Sequence, residues 1–197
     1  DFIPVSDNIL GLAIADASGH GLPAALVVRD VYMGLRMATD RDFKIIRTLE
    51  KLNNIIHRSR LTTKFVSLFY GELETGGVII YCNAGHNWPF VMRRGGKEVE
   101  FLRNGGPVLG PTPDATYTRG FVKLEAGDLL CLYSDGIVEA HDSKDREFGI
   151  ERLQRLVRSM RDESAEHIGR EVLRSVAKFG REGEDDRTVV IVKAVAV

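Results

Sequence analysis

The spacing of apolar positions changes several times along the chain, and each change marks a new kind of element. The run Ile9 to Ala15 is apolar almost throughout and stops at Asp16 and the turn Ser18-Gly19-His20-Gly21, the pattern of a buried strand. Pro23 suits the first turn of a helix, predicted to run to about Met37. A second helix is predicted from about Asp42 to Ser59, because Phe43, Ile46, Leu49, Leu52 and Ile56 recur every three or four residues. From Lys64 to Leu102 the period falls to two. Phe65–Leu73, Val78–Cys82, Phe90–Arg93 and Val99–Leu102 read as strands separated by the hairpin signals Gly76-Gly77 and Gly95-Gly96. A loop through Gly105-Gly106-Pro107 and Pro111-Thr112-Pro113 leads to strands near Tyr117–Leu124 and Leu129–Tyr133. Two more helices follow, one marked by Ile150, Leu153, Leu156, Val157 and Met160, the other by Ile168, Val172, Val176 and Phe179. A β-branched strand, Thr188 to Val197, closes the chain. Two helix pairs around a mostly antiparallel block of strands predict an α+β fold, a layered sandwich with helix pairs covering stacked sheets.

Length and composition narrow the class. The chain has 197 residues, within the roughly 100–200 expected of one domain, and no repeat or linker divides it, so residues 1–197 are expected to form a single domain. Hydrophobic residues make up 44% and charged residues 28%, ordinary globular proportions. Lys+Arg 27 against Asp+Glu 28 leaves a net charge of −1, so no overall field attracts nucleic acid or an anionic membrane. No apolar run is long enough for a membrane span. The chain opens at Asp1-Phe2-Ile3-Pro4 without Met or a basic, apolar leader, the pattern expected of a piece of a longer protein. Cys82 and Cys131 lie inside apolar strand-like runs and are expected to be reduced core residues of a cytoplasmic protein.

Three acidic positions share one local design, an apolar strand adjoining an Asp in a Gly- or Ser-containing turn. They are Ile14-Ala15-Asp16-Ala17-Ser18-Gly19, Leu132-Tyr133-Ser134-Asp135-Gly136, and Gly183-Glu184-Asp185-Asp186-Arg187-Thr188 ahead of the last strand. A carboxylate at the rim of an apolar strand is poorly solvated and calls for a cation or hydrogen bonds. If these strand ends converge, their like charges need a counterion. Ligation by carboxylates without Cys or clustered His then selects a hard cation, Mg²⁺ or Mn²⁺. The plain alternative is that each Asp starts a turn or caps a helix. Spacing alone does not choose between the two.

Taken together, several stretches resemble the SpoIIE-type branch of the metal-dependent protein phosphatase (PPM) family. They are Ala15-Asp16-Ala17-Ser18-Gly19-His20-Gly21-Leu22-Pro23-Ala24-Ala25, Asn83-Ala84-Gly85-His86-Asn87, Gly127-Asp128 through Tyr133-Ser134-Asp135-Gly136 to Glu139-Ala140, Phe148-Gly149, and Asp185-Asp186-Arg187-Thr188. The resemblance implies the family's α-β-β-α sandwich and a phosphoserine/phosphothreonine phosphatase with two Mn²⁺ or Mg²⁺ ions. Asp16 is implied to bridge both metals, with the Ala17 carbonyl binding one of them. Asp135 and Asp185 are implied to complete the second ion's ligands, with Asp186 behind them or serving as the ligand instead. Such a pair turns a bridging water into hydroxide, aims it at phosphorus and neutralises the phosphoryl oxygens. The family carries another acidic ligand in a Gly-Gly-Asp segment expected just before Asp1. Asp1-Phe2 would then be that segment's tail, and the metal site of this stretch is expected to be incomplete. The implied substrate is a small phosphorylated STAS-domain protein, an anti-anti-sigma factor of a partner-switching pathway. A sensor or receiver domain is expected upstream in the same chain, and a homodimer is left open.

Four further features carry two readings each. His20 would protonate the leaving serine alkoxide or simply shape its glycine-flanked turn. His86 would approach the site or build a turn between strands. Gly105-Gly106-Pro107-Val108-Leu109-Gly110 lacks the Lys-Ser/Thr of a phosphate-binding loop and is expected to be a plain loop. Arg152, Arg155, Arg158 and Arg161 are expected to form a solvated helix face beside Glu151 and Asp162. The competing function is a catalytically silent domain of the same fold that binds a signalling partner. Three retained carboxylates speak against it, because a binding module has no use for them.

Overall fold

The computed structural model describes residues 1–39, 44–59, 65–96, 98–181 and 185–195. The predicted positions Asp42, Phe43, Lys64, Gly183, Glu184, Ala196 and Val197 lie outside the described residues. In chain order the elements are β1 (Phe2–Ser6), β2 (Ile9–Ala17), α1 (Leu22–Thr39), α2 (Ile45–Arg58), β3 (Val66–Glu74), β4 (Val78–Ala84), β5 (Phe90–Met92), β6 (Val99–Phe101), β7 (Gly105–Gly106), β8 (Gly120–Lys123), β9 (Leu129–Tyr133), α3 (Asp135–Val138), α4 (Ile150–Ser159), α5 (Ala165–Phe179) and β10 (Val189–Lys193). The result is the expected mix of two sheets and several helices. The chain divides into two compact units, one of Asp1–His86 with Leu102–Lys123, the other of Asn87–Phe101 with Leu124–Val197.

The first unit holds a six-stranded sheet in the order β1-β2-β3-β4-β7, with β8 also pairing to β4. Helices α1 and α2 pack on one of its faces. Alternation along the strands sends Ala13, Ala17, Val66, Leu68, Tyr70, Cys82 and Ala84 into the core under these helices. On the opposite face, Leu12, Ile14, Phe69, Ile79 and Tyr81 are also buried. Helix α2 meets the sheet through Ile45, Leu49, Leu52 and Ile56. Burying each of these side chains is worth about 1.5–3 kcal/mol. The buried Asn53 on the same helix accepts from the Gly110 N–H at 2.8 Å and donates to the Thr112 and Pro113 carbonyls, fastening the proline loop to the helix.

The second unit holds a four-stranded antiparallel sheet, β10-β9-β5-β6. Helix α5 packs along β10 and contacts α4. Leu153 and Val157 of α4, and Ile168, Val172 and Val176 of α5, form its core with Phe90, Leu129, Cys131 and Tyr133. Ser164 caps α5 by accepting from the His167 N–H at 3.1 Å, satisfying one of the helix's unpaired first-turn donors. The buried Asp128 carboxylate accepts from the Glu125 and Arg94 N–H groups and pairs with Arg93 at 2.9 Å, fixing the turn that leads into β9. Cys82 and Cys131 are free and buried, as expected. No helix among the described residues is long and apolar enough to cross a membrane.

One expectation needs correction, and one strand was not foreseen. Gly105-Gly106 is a short strand rather than a plain loop. It pairs in parallel with Asn83 and Ala84, so close to the Asn83 carbonyl that no side chain would fit at Gly105. Two glycines carry no strand propensity, so backbone pairing of this kind leaves no pattern in the sequence. Strand β1 went unpredicted because Pro4 interrupts it, which is tolerated on an outer strand. The arginine stripe that begins on α4 is exposed at Arg152 and Arg155, as expected, and half-buried at Arg158 and Arg161. Arg152 donates to the Glu147 and Phe148 carbonyls and lies over the Phe179 ring, and Arg161 donates to the Arg93 carbonyl.

Candidate functional site

In the first unit the site residues stand at the end of β2. Asp16 and Ala17 are its last two residues, and Asp16 pairs directly with Ser67 of β3. The strand is closed by Ser18, whose N–H donates to the Phe65 carbonyl and whose Oγ accepts from the Phe65 N–H at 3.1 Å. Gly19 and Gly21 then take φ of 91° and 77°, a region costly for side chains bearing a Cβ, and turn the chain into α1. Ala17 is buried, while Asp16 and His20 are exposed. His20 thus sits on the outside of a turn set by its two glycine neighbours.

Beside this strand end lies a polar row that sequence reasoning only half found. Asp16 on β2 and Ser67 on β3 share the sheet face opposite the helices, because directly paired residues of adjacent strands point the same way. Ser67 Oγ lies 2.9 Å from His86 Nδ1. His86 is buried, and its backbone is fastened by Asn83: the His86 N–H donates to Asn83 Oδ1 at 2.7 Å and Asn83 Nδ2 donates to the His86 carbonyl at 3.0 Å. Gly85, at φ 68°, makes this turn. The motif Asn83-Ala84-Gly85-His86 pointed here, but nothing in the sequence marked Ser67.

In the second unit, Asp135 opens α3 directly after β9, and its Oδ1 accepts from the Gly136 N–H at 2.8 Å. Asp185 makes the same local bond with the Asp186 N–H, also at 2.8 Å. Ser134 joins the two segments. Its N–H donates to the Thr188 carbonyl, its Oγ accepts from the Thr188 N–H at 2.9 Å, and the same Oγ donates to the Asp186 carbonyl at 3.0 Å. Gly136 lies against this carbonyl, and a Cβ there would collide with the Asp186 oxygen and sit 3.2 Å from Asp185 Cβ. Asp135, Asp185 and Asp186 are thereby held together by β9–β10 pairing although they are distant in sequence. Asp185 and Asp186 are exposed and Asp135 is half-buried, so the expected poor solvation holds only for Asp135.

The electrostatics of this second cluster are those of crowded like charges. Burial, followed by the charges of Asp135, Glu147 and Asp185, raises the Glu139 carboxyl above its ordinary range, with His141 opposing the shift. Among the described residues, no set of three Asp, Glu, His or Cys side chains stands ready-assembled around a common point. The donors near Asp135 and Asp185 are oxygens, and their crowding calls for positive charge. In donor chemistry they fit a hard divalent cation such as Mg²⁺ or Mn²⁺.

Comparison with known proteins identifies the class. The structure matches the crystal structure of the RsbU and RsbW domains of Rv1364c from Mycobacterium tuberculosis with a TM-score of 0.84, at 22% identity, over 100% of this chain and 54% of that one. It also matches RsbX, crystallised in complex with magnesium, with a TM-score of 0.66 at 16% identity, over 97% of this chain and 84% of that one. The fold is that of the PPM phosphatases. The sequence model of the Stage II sporulation protein E (SpoIIE) family matches residues 6–195, and the chain belongs to that family. A curated relative, phosphoserine phosphatase RsbU of Bacillus subtilis (strain 168), is 26% identical over 188 residues, 93% of this chain and 55% of the relative. The chain therefore spans about half the length of that relative.

Proposed function

We propose that the chain is a metal-dependent protein serine/threonine phosphatase acting on a small phosphorylated signalling protein of the STAS-domain, anti-anti-sigma type. The observation that carries this reading is the joining of Asp135 to Asp185 and Asp186 through Ser134, in a family whose relative RsbU is a phosphoserine phosphatase. By the family resemblance, the Asp16 carboxylate and the Ala17 carbonyl would act as oxygen donors to a cation, as would Asp135 and Asp185, with Asp186 adjoining or replacing Asp185. When bound, Mn²⁺ or Mg²⁺ supplies positive charge for the phosphoryl oxygens and acidifies water for in-line attack. Ser134 keeps the Asp185-Asp186 turn in place, and Gly136 leaves room for it. His20, exposed just past Asp16, is the candidate proton donor to the departing serine oxygen. Regulation by an upstream sensor or receiver domain, in the cytoplasm, completes the reading.

The test is phosphate release from a phosphoserine STAS protein by the full-length protein, with and without Mn²⁺. Mn²⁺-dependent hydrolysis abolished by Asp16→Asn and Asp135→Asn supports the proposal. A protein that binds Mn²⁺ and the STAS protein yet releases no phosphate is the silent, partner-binding domain instead.

A further inference from the structure

We propose that Ser67 and His86 act as a positioning pair for Asp16, a role that rests on the phosphatase reading above. The juxtaposition is specific to the folded chain. Asp16 and Ser67 are directly paired on β2 and β3, and His86 reaches Ser67 from the turn after β4.

The contact is more than the closing of a turn. Asn83 already closes that turn through the backbone N–H and carbonyl of His86, and Gly85 supplies the left-handed residue it needs. The imidazole takes no part in either bond. It is instead directed sideways to the Ser67 hydroxyl, and it is only 5% exposed. Burying a polar ring costs free energy unless its nitrogens are used, so this placement calls for a partner that matters.

The chemistry of the hydroxyl supplies the link. A serine oxygen accepts up to two hydrogen bonds and donates one. When His86 carries its proton on Nδ1 and donates to Ser67 Oγ, the serine proton is directed away from the ring. Directly opposed strand residues hold their Cβ atoms about 4.5–5.5 Å apart, a span that a serine hydroxyl and a carboxylate bridge with a single hydrogen bond. The pair thus orients the Asp16 carboxylate from the side and limits its rotation. Groups that orient a ligand in this way typically contribute 10–100-fold to metal affinity.

The experiment measures binding of Mn²⁺ alone, by calorimetry and Mn²⁺ electron paramagnetic resonance, on the full-length protein. Each variant's melting temperature is recorded without metal. Ser67→Ala is expected to weaken Mn²⁺ binding by about 10-fold or more at an unchanged metal-free melting temperature. Ser67→Thr, which keeps the hydroxyl on a residue suited to strands, is expected to stay within about 2-fold of the wild type. His86→Asn, whose amide N–H falls near the Nδ1 position, is expected to bind better than His86→Gln, whose amide falls near Nε2. Should Ser67→Ala fail to fold, the Asn and Gln pair decides, and equal affinities of those two variants overturn the proposal. Wild-type affinity in Ser67→Ala, together with lost binding in Asp16→Asn, overturns the positioning role and leaves the phosphatase reading standing. Mn²⁺ binding that is indifferent to Asp16→Asn overturns both.

Discussion

Ser134 Oγ donates to the Asp186 carbonyl at 3.0 Å while accepting from the Thr188 N–H at 2.9 Å, so one buried hydroxyl ties the end of β9 to the start of β10. Replacing it with alanine leaves both backbone groups without their partner. Ser134→Ala is expected to destabilise the protein by about 1–3 kcal/mol and to lower Mn²⁺ affinity through a loosened Asp185-Asp186 turn. Urea unfolding and Mn²⁺ titration check this. Unchanged values in both would show that the strand pairing suffices without the hydroxyl.

Gly136 offers a sharper test of the same geometry. It is helical without a positive φ, so alanine is acceptable to the backbone, but the added methyl meets the Asp186 carbonyl. Gly136→Ala is therefore expected to displace the Asp185-Asp186 segment. Phosphatase activity should fall more than stability does. An active Gly136→Ala protein with wild-type Mn²⁺ dependence would contradict the close approach of these two segments.

Two carboxylates tie stability to acid pH. Burial alone would raise Asp128, but the Glu125 and Arg94 N–H groups and the Arg93 guanidinium outweigh it and hold the carboxyl below its usual value. Asp142 is lowered to about 2, by bonds from the Arg146 N–H and guanidinium and then the Lys144 N–H, against some burial. For both groups the folded value lies below the unfolded one, about 3.9. Their stabilisation is thus present above pH ~4 and is lost as pH falls through the folded values. Asp128→Asn and Asp142→Asn are expected to be less stable than the wild type at pH 6.5, with the gap narrowing between about pH 4 and pH 2. Denaturation midpoints across this range decide the matter, and a constant gap would refute it.

The two thiols are predicted to be inert. Burial pushes Cys82 up to about 12 and moves Cys131 in the same direction, and both are 0% exposed. Since the thiolate is the nucleophile, neither should react with iodoacetamide at pH 8 in the native state. Mass spectrometry should find both alkylated after denaturation. Rapid labelling of the native protein would mean that one of these strands opens readily.

Much of the fold was legible because it is written in local periodicity. Leu129–Tyr133 reads as an uninterrupted apolar strand, and Ile168, Val172 and Val176 recur at helical spacing, so strand β9 and helix α5 follow from the side chains alone. The candidate metal ligands were proposed from the sequence on another ground: each lies in a short motif whose order along the chain resembles the family's. Pairing partners were not legible. Ser67 gains its place opposite Asp16 only through the β2–β3 register, and Ser134 meets Asp186 only when β9 and β10 align. A one-residue slip in either register would send these side chains to the other face, and no local pattern records which partner a strand will find. Gly105 and Gly106 are the extreme case. Their role depends on backbone passing close to the Asn83 carbonyl, and a residue without a side chain carries no sign of what approaches it.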